Sequence, residues 1–203
     1  MFGVKSSGGI TRIANGITTL VDYAKTALGV TEETALVIQG TTGAVPVNPP
    51  LTQGLGGTVP NSLVKIVWTT VVSGIKGQGL PFEDYVATQL GANSRLPVNF
   101  ETWDFFNAKS GVATSAKTLN TLAPGYAKNP AGVYSALTKY LNAMKAFKTA
   151  TLKGVTVNAS QITARELQLA VPAGTSAAVW TEILRAQSDA AAAGMKLIIT
   201  VVN

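Results

Sequence analysis

The sequence predicts an α/β (α+β) protein: a mixed sheet flanked by helices over residues 62–203, preceded by a small, mainly helical region over residues 1–61. Three observations lead there. From residue 81 the apolar patterning switches period segment by segment, in the order α-β-β-α-β-α-β. Residues 40–61 hold five Gly and four Pro in 22 positions, which breaks the chain in two. At 203 residues, 46% hydrophobic and 13% charged, it is long enough for one domain of about 120 to 150 residues plus a smaller attachment.

Residues 10–29 place Ile10, Ile13, Ile17, Leu20, Val21 and Leu28 near helical spacing with Gly29 as a stop, so a helix is expected there despite Gly16. Residues 40–61 should be irregular and linker-like. Ser62 to Ile75 is apolar and β-branched, with Ser62 available as an N-cap, and helix and strand both stay open. Pro81 suits the first turn of a helix over 81–90 that stops at Gly91. Phe100 to Phe106 reads as an aromatic-rich strand, 108–111 as a turn and Val112 to Leu119 as a second strand, together a hairpin. Asn129-Pro130 opens a helix to about Thr149, with Val133, Leu137, Tyr140, Leu141, Met144 and Phe147 on one face. Residues 155–158 and 162–171 read as strand, Thr175 as the cap of a helix over 176–193 ended by Gly194, and residues 195–202 as a buried strand. Trp103 and Trp180 are expected in the core.

The chain has no Cys and no His. Disulfide scaffolds, Cys-rich zinc sites, Cys nucleophiles, Ser-His-Asp triads and paired-histidine ribonuclease chemistry are therefore excluded. Catalysis must run on carboxylates, lysine, hydroxyls or a metal held by oxygen. The formal net charge is +6. Residues 71–203 carry 12 Lys and Arg against 7 Asp and Glu, whereas residues 1–70 carry 4 against 3. The basic excess thus lies in the C-terminal part, where a polyanion or simple solubility would each account for it. No apolar run is long enough to cross a bilayer, so stable membrane insertion is not expected. Met1-Phe2-Gly3 lacks a basic, then apolar, leader, so any delivery route is expected to lie in a longer protein of which this chain is a piece.

Within the hairpin, Asp104 falls on the first strand and Ser115-Ala116-Lys117 on the second. Residues two apart on a strand share a face, so Ser115 and Lys117 point together. If Asp104 faces them, the three converge, and Glu83 on the preceding helix can reach the same patch. Asp104 and Glu83 can bind a divalent metal, which polarises a phosphoryl oxygen and acidifies bound water. Ser115 can ligate weakly or hold a metal-bound water. Lys117 has two open roles: to orient or deprotonate the attacking water, or to stabilise charge in the transition state.

The segments GQGLPFEDYV (77–86), RLPVNFETWDFF (95–106), GVATSAKTL (111–119) and ITARELQLAVPAGTSAAVWTEILRAQ (162–187), with the closing KLIITVV, resemble the C-terminal nuclease domains of bacterial contact-dependent growth inhibition toxins of the CdiA type. The resemblance covers residues 75–203. It implies a PD-(D/E)xK, restriction-endonuclease-like core and a metal-dependent DNase whose Glu, Asp, Ser and Lys fall on Glu83, Asp104, Ser115 and Lys117. Zn²⁺, Mg²⁺ or Mn²⁺ is implied as cofactor, with Glu83, Asp104 and Ser115 as the ligand set. Ser115 stands where the wider superfamily has a second acid. The resemblance further implies a toxin carried at the tip of a large surface protein and delivered to the cytoplasm of a target bacterium. A dedicated immunity protein would neutralise it, and residues 1–61 would be the segment that uses an inner-membrane entry protein. A tRNase on the same fold is the alternative. From another class, the Gly/Thr/Val-rich first 75 residues suggest a non-catalytic adhesive or structural module.

Five further cations are candidate nucleic-acid contacts. Lys139, Lys145 and Lys148 are expected along one helix, where a solvated face is the plainer reading. Arg165 and Arg185 could each contact nucleic acid or pair with a carboxylate. Gly54, Gly56 and Gly57 form a glycine cluster without a following Lys-Ser/Thr, so no phosphate-binding loop is expected.

Overall fold

The computed structural model describes residues 55–68 and 75–203. The helix expected at 10–29 and most of the 40–61 linker lie outside the described residues. In chain order the elements are β1 (Leu55–Val59), α1 (Asn61–Val64), α2 (Leu80–Leu90), β2 (Phe105–Asn107), β3 (Val112–Thr118), α3 (Pro124–Lys128), α4 (Ala131–Ala146), β4 (Thr149–Leu152), β5 (Val155–Asn158), β6 (Ala164–Pro172), α5 (Ala177–Ala192) and β7 (Met195–Val202). The main sheet runs β1-β7-β6-β3-β2. Its first four strands are parallel and β2 is antiparallel to β3.

Strands β6 and β7 lie between parallel neighbours and are covered on both faces, which is why their sequences ELQLAV and LIITVV are almost continuously apolar. Helices α4 and α5 cover one face. Helix α4 buries Val133, Leu137, Leu141 and Met144, and α5 buries Val179, Ile183, Ala186 and Ala190, both at helical spacing. They pack with Trp103, Ala113, Leu167, Leu169, Leu197 and Ile199 into the larger cluster. Helix α2 covers the other face, where Phe82 and Val86 meet Ala116, Ala170, Val202 and Phe105 in a second, smaller cluster. Strands β4 and β5 pair only with each other, as a separate hairpin.

Several expectations fail for identifiable reasons. Residues 55–59 are not irregular: LGGTV pairs parallel with β7, and the positive φ of Gly57 falls where the register shifts. Glycine's low strand propensity is outweighed by pairing with a buried partner. The open reading of 62–75 resolves, over the described part, into the single turn α1 closed by left-handed Lys65. Ser62 is not its cap; the Asn61 side chain ties the turn instead, with Oδ1 accepting the Ile66 N–H at 2.7 Å. The long helix after Pro130 stops at Ala146, so Lys148 lies beyond it and Thr149 already belongs to β4. The short helix α3 was not anticipated. At α5 the cap is Ser176, whose Oγ accepts the Val179 N–H, while Thr175 Oγ1 bonds Thr121 Oγ1 at 2.6 Å. The first strand of the hairpin is only Phe105–Asn107, not 100–106.

Phe82 is fully buried and seats α2 on the sheet. Phe82→Ala is expected to cost about 3–5 kcal/mol of stability by urea titration.

Candidate active site

The site is built where β2 gives out. Trp103 belongs to the cluster under α4 and α5, and Phe105, two residues on, to the cluster under α2. A regular strand would send both to one face, so the chain cannot be regular through Asp104. The break is made just before it. Thr102 has φ 68°, and the Trp103 N–H donates to Glu101 O at 2.8 Å, which is the strained, positive-φ form of the γ-turn. Backbone pairing resumes at once: Asp104 N donates to Thr114 O at 3.0 Å and Leu96 N to Asp104 O at 2.9 Å. The Asp104 carboxylate is left on the line a continuing strand would occupy.

Three donors from β3 converge on one oxygen of that carboxylate. Asp104 Oδ2 accepts from Ala116 N at 2.7 Å, Lys117 Nζ at 2.9 Å and Ser115 Oγ at 3.3 Å. The contacts hold the carboxylate in place and leave Oδ1 for another ligand. Ser115 is buried, and Lys117 keeps 30% of its side chain exposed.

Glu83 enters from α2. Its carboxyl is held above the ordinary glutamate range, first by burial and then by the Asp104 charge, against the lowering effects of Arg95 and Lys117. Helix α2 therefore carries it close enough to feel both hairpin residues. Arg95 was not singled out from the sequence. Its Nη2 reaches Glu83 Oε2 at 3.3 Å and its Nη1 Asp84 Oδ1 at 2.5 Å. The Arg95 backbone bridges Phe105, which fixes the guanidinium beside the site. The only sequence signal was its place in the family-like segment 95–106, because the pairing with two consecutive acids depends on the tertiary fold.

Among the described residues no three Asp, Glu, His or Cys side chains gather as a ready cation cage. The Glu83 carboxyl does feel the Asp104 charge, and Ser115 Oγ donates to Asp104 Oδ2. An all-oxygen set with two acids fits a hard divalent ion that keeps several waters or takes substrate oxygens. The mutual repulsion that raises Glu83 is what such an ion would relieve.

The five outlying cations stand apart from this cluster. Lys139, Lys145 and Lys148 are exposed. Arg185 stacks over the Tyr134 ring at 3.8 Å and lies 3.7 Å from Glu182. Arg165 is half-buried and paired in register with Ala113, four residues before Lys117 on β3 and so about 13 Å along the strand. Trp103 is fully buried, and Trp180 is half-buried against the larger cluster.

A mixed sheet flanked by helices, with an acid, a hydroxyl and a lysine on its edge hairpin and a helical acid beside them, defines a restriction-endonuclease-like fold. The chain matches the family model described as the CDI toxin restriction endonuclease-like domain over residues 78–200, and it belongs to that family. It is 43% identical over 146 residues to a protein named deoxyribonuclease CdiA of Yersinia pseudotuberculosis serotype O:3 (strain YPIII), covering 72% of this chain and 13% of that one. To deoxyribonuclease CdiA-o11 of Escherichia coli O157:H7 (strain EC869) it is 38% identical over 146 residues, covering 72% of this chain and 38% of the relative. The chain thus spans well under half the length of either. A solved structure titled CdiA-CT/CdiI toxin and immunity complex from Yersinia pseudotuberculosis superposes with a TM-score of 0.57 at 45% identity, covering 61% of this chain and 99% of that one.

A carboxyl whose pKa is higher folded than unfolded holds its proton more tightly in the native state. Its favourable contribution is complete below the ordinary glutamate value and is lost as pH rises through the raised one. Glu83→Gln removes that loss. The metal-free variant should melt above wild type at pH 7 to 8, with the difference closing below about pH 4. A lower melting temperature at neutral pH would mean that the pairing with Arg95 outweighs burial beside Asp104. At Thr102, glycine relieves the positive φ, so Thr102→Gly should match or exceed wild-type stability by up to about 1 kcal/mol in a denaturant titration.

Proposed function

We propose that this chain is the nuclease part of a contact-dependent growth inhibition toxin and that it hydrolyses phosphodiester bonds of DNA. The observation that carries the reading is the convergence of Lys117, Ser115 and the Ala116 N–H on one oxygen of Asp104, with Glu83 coupled to the same carboxylate. The deoxyribonuclease names of the two relatives favour DNA over tRNA.

Glu83, Asp104 and Ser115 are the groups that would hold a divalent ion. When bound, such an ion supplies Lewis-acid polarisation of the phosphate and a more acidic water. The rest falls to the chain's own residues. Asp104, locked through Oδ2, presents Oδ1 in a fixed direction. The Lys117 ammonium, anchored on Asp104, stands where it can donate to a phosphate oxygen as negative charge builds there. Water attacks phosphorus, the bond to the leaving sugar oxygen breaks with its electron pair, and the water's proton passes to solvent while the leaving oxygen takes one up. Arg95 keeps the Glu83 carboxylate directed at the site. Lys139, Lys145, Lys148, Arg165 and Arg185 are proposed as secondary contacts along the nucleic-acid backbone, supported by the basic excess of residues 71–203.

The nuclease domain is read as residues 62–203 together with β1. Within the 1–61 region, the residues ahead of β1 are then the segment that engages an inner-membrane entry protein of the target cell, a reading that rests on position alone. The much greater length of the relatives supports delivery to a target bacterium's cytoplasm as part of a larger surface protein. No helix among the described residues is long and apolar enough to cross a membrane. The related toxin and immunity complex supports a cognate immunity protein, and an acidic one would complement the +6 charge of this chain.

Purified protein incubated with plasmid DNA or total tRNA, with Mg²⁺, Mn²⁺ or Zn²⁺, should cleave the DNA and lose that activity in EDTA. Asp104→Asn and Lys117→Ala should each lower the cleavage rate by on the order of 10²–10³-fold while remaining folded. Cleavage of tRNA alone would overturn the DNA assignment, and full cleavage by Asp104→Asn would overturn the site.

A further inference from the structure

Arg95 carries more donors than its two acidic partners use. Its Nη2 lies 3.3 Å from Glu83 Oε2 and its Nη1 2.5 Å from Asp84 Oδ1, which engages two of the five N–H groups of a guanidinium. The side chain is 30% exposed, so the group is open to a ligand arriving from solvent. Stability alone does not account for it. The Asp84 carboxylate is 67% exposed, where an ion pair is worth little. The contact with Glu83 is longer than a strong charge-assisted hydrogen bond.

The position of Arg95 is nonetheless fixed. Its backbone pairs with Phe105 in an isolated bridge, and the N–H of the next residue, Leu96, donates to Asp104 O at 2.9 Å. The guanidinium is thus tied through its backbone to the segment that holds one carboxylate of the site, and it rests on the other. Glu83 stands between two cations: its carboxyl feels both Arg95 and Lys117, and Lys117 Nζ sits on Asp104 Oδ2 at 2.9 Å. Glu83 and Asp104 balance Lys117 and Arg95 in charge, with Asp84 as the outer anchor of Arg95. Once the two acids balance a divalent ion instead, the positive charges of Lys117 and Arg95 are left for an anion.

We propose that Arg95 is a substrate-binding residue of the nuclease, and that its guanidinium takes the phosphate next to the one under attack on the bound DNA strand. The inference rests on the nuclease reading given above. Lys117, anchored on Asp104, serves the phosphate being cut. Arg95, on the Asp84 side of Glu83, meets the neighbouring one. Its planar fork suits two oxygens of one phosphate, which an ammonium does not match. Every nucleotide carries the same phosphate whatever its base, so the contact adds affinity and sets register without reading sequence. Arg95 exchanges no proton.

The test measures binding apart from cleavage. Lys117→Ala keeps Glu83, Asp104 and Ser115 and should cut slowly. In this background the Kd for a fluorescent DNA duplex is read by anisotropy with Mg²⁺ over a KCl series, with and without Arg95→Met or Arg95→Lys. We expect Arg95→Met to weaken binding about 10-fold at the lowest salt and to reduce the slope of log Kd against log salt by about 0.9, the share of one phosphate contact. Arg95→Lys should restore the slope and only part of the affinity. A residue that only steadied Glu83 would leave the slope as it was. An unchanged slope in Arg95→Met, or an equal loss of slope in Arg95→Lys, would overturn the proposal. If Lys117→Ala or Asp104→Asn cleaves like wild type, the site reading fails and this inference fails with it; if both are slow and Arg95→Met binds as its parent does, only the role of Arg95 is lost.

Discussion

Where β2 ends, the N–H of Ala116 faces the edge of the sheet with no strand to receive it, and the Asp104 carboxylate takes the place of the missing carbonyl at 2.7 Å. A buried backbone donor must be satisfied, so this bond ties the Asp104 carboxylate to the framework rather than to a flexible neighbour. Every other site contact follows from it. Ser115 and Lys117 flank Ala116 on β3 and reach the same oxygen because the acid sits opposite the residue between them. Helix α2 packs through Phe82 on Ala116, which brings Glu83 to the same place from the other side.

The placement needs a break in regular structure, and the hydrophobic core supplies the force for it. Trp103 and Phe105 are drawn into clusters on opposite sides of the sheet, and the positive φ of Thr102 is the local distortion that lets both be buried. Burying two such rings is worth several kcal/mol, more than the roughly 1–3 kcal/mol of an unfavourable backbone conformation. The result is a carboxylate with one oxygen fully engaged and the other presented, which suits a site that must hold its geometry before substrate arrives.

Electrostatics balance around the same point. Glu83 and Asp104 repel, and burial adds to the cost of the Glu83 charge. Lys117 offsets this at Asp104, and Arg95, itself steadied by exposed Asp84, offsets it at Glu83. The arrangement keeps two acids close, at some expense in stability. Under the proposed function that expense has a purpose, since two carboxylates and a lysine can act together only if the acids stay near each other.

The sequence by itself determined the periodic elements and the chemical repertoire. Helices α2, α4 and α5 and strands β6 and β7 were legible because each buries an apolar stripe or face, a property carried by local residue order. The lack of His and Cys restricted the chemistry to oxygen and lysine, and the spacing from Asp104 to Lys117 placed the acid and the lysine on one hairpin. What only the tertiary structure decided depends on partners remote in sequence. Gly-rich 55–59 became a strand through pairing with the final strand, and the reading of 100–106 as regular strand failed because Trp103 and Phe105 enter different clusters. Arg95 joined the site because its backbone bridges Phe105 while its side chain reaches acids 11 and 12 residues earlier. Local pattern specifies which face a residue presents; only the packing of faces against one another specifies what that residue meets.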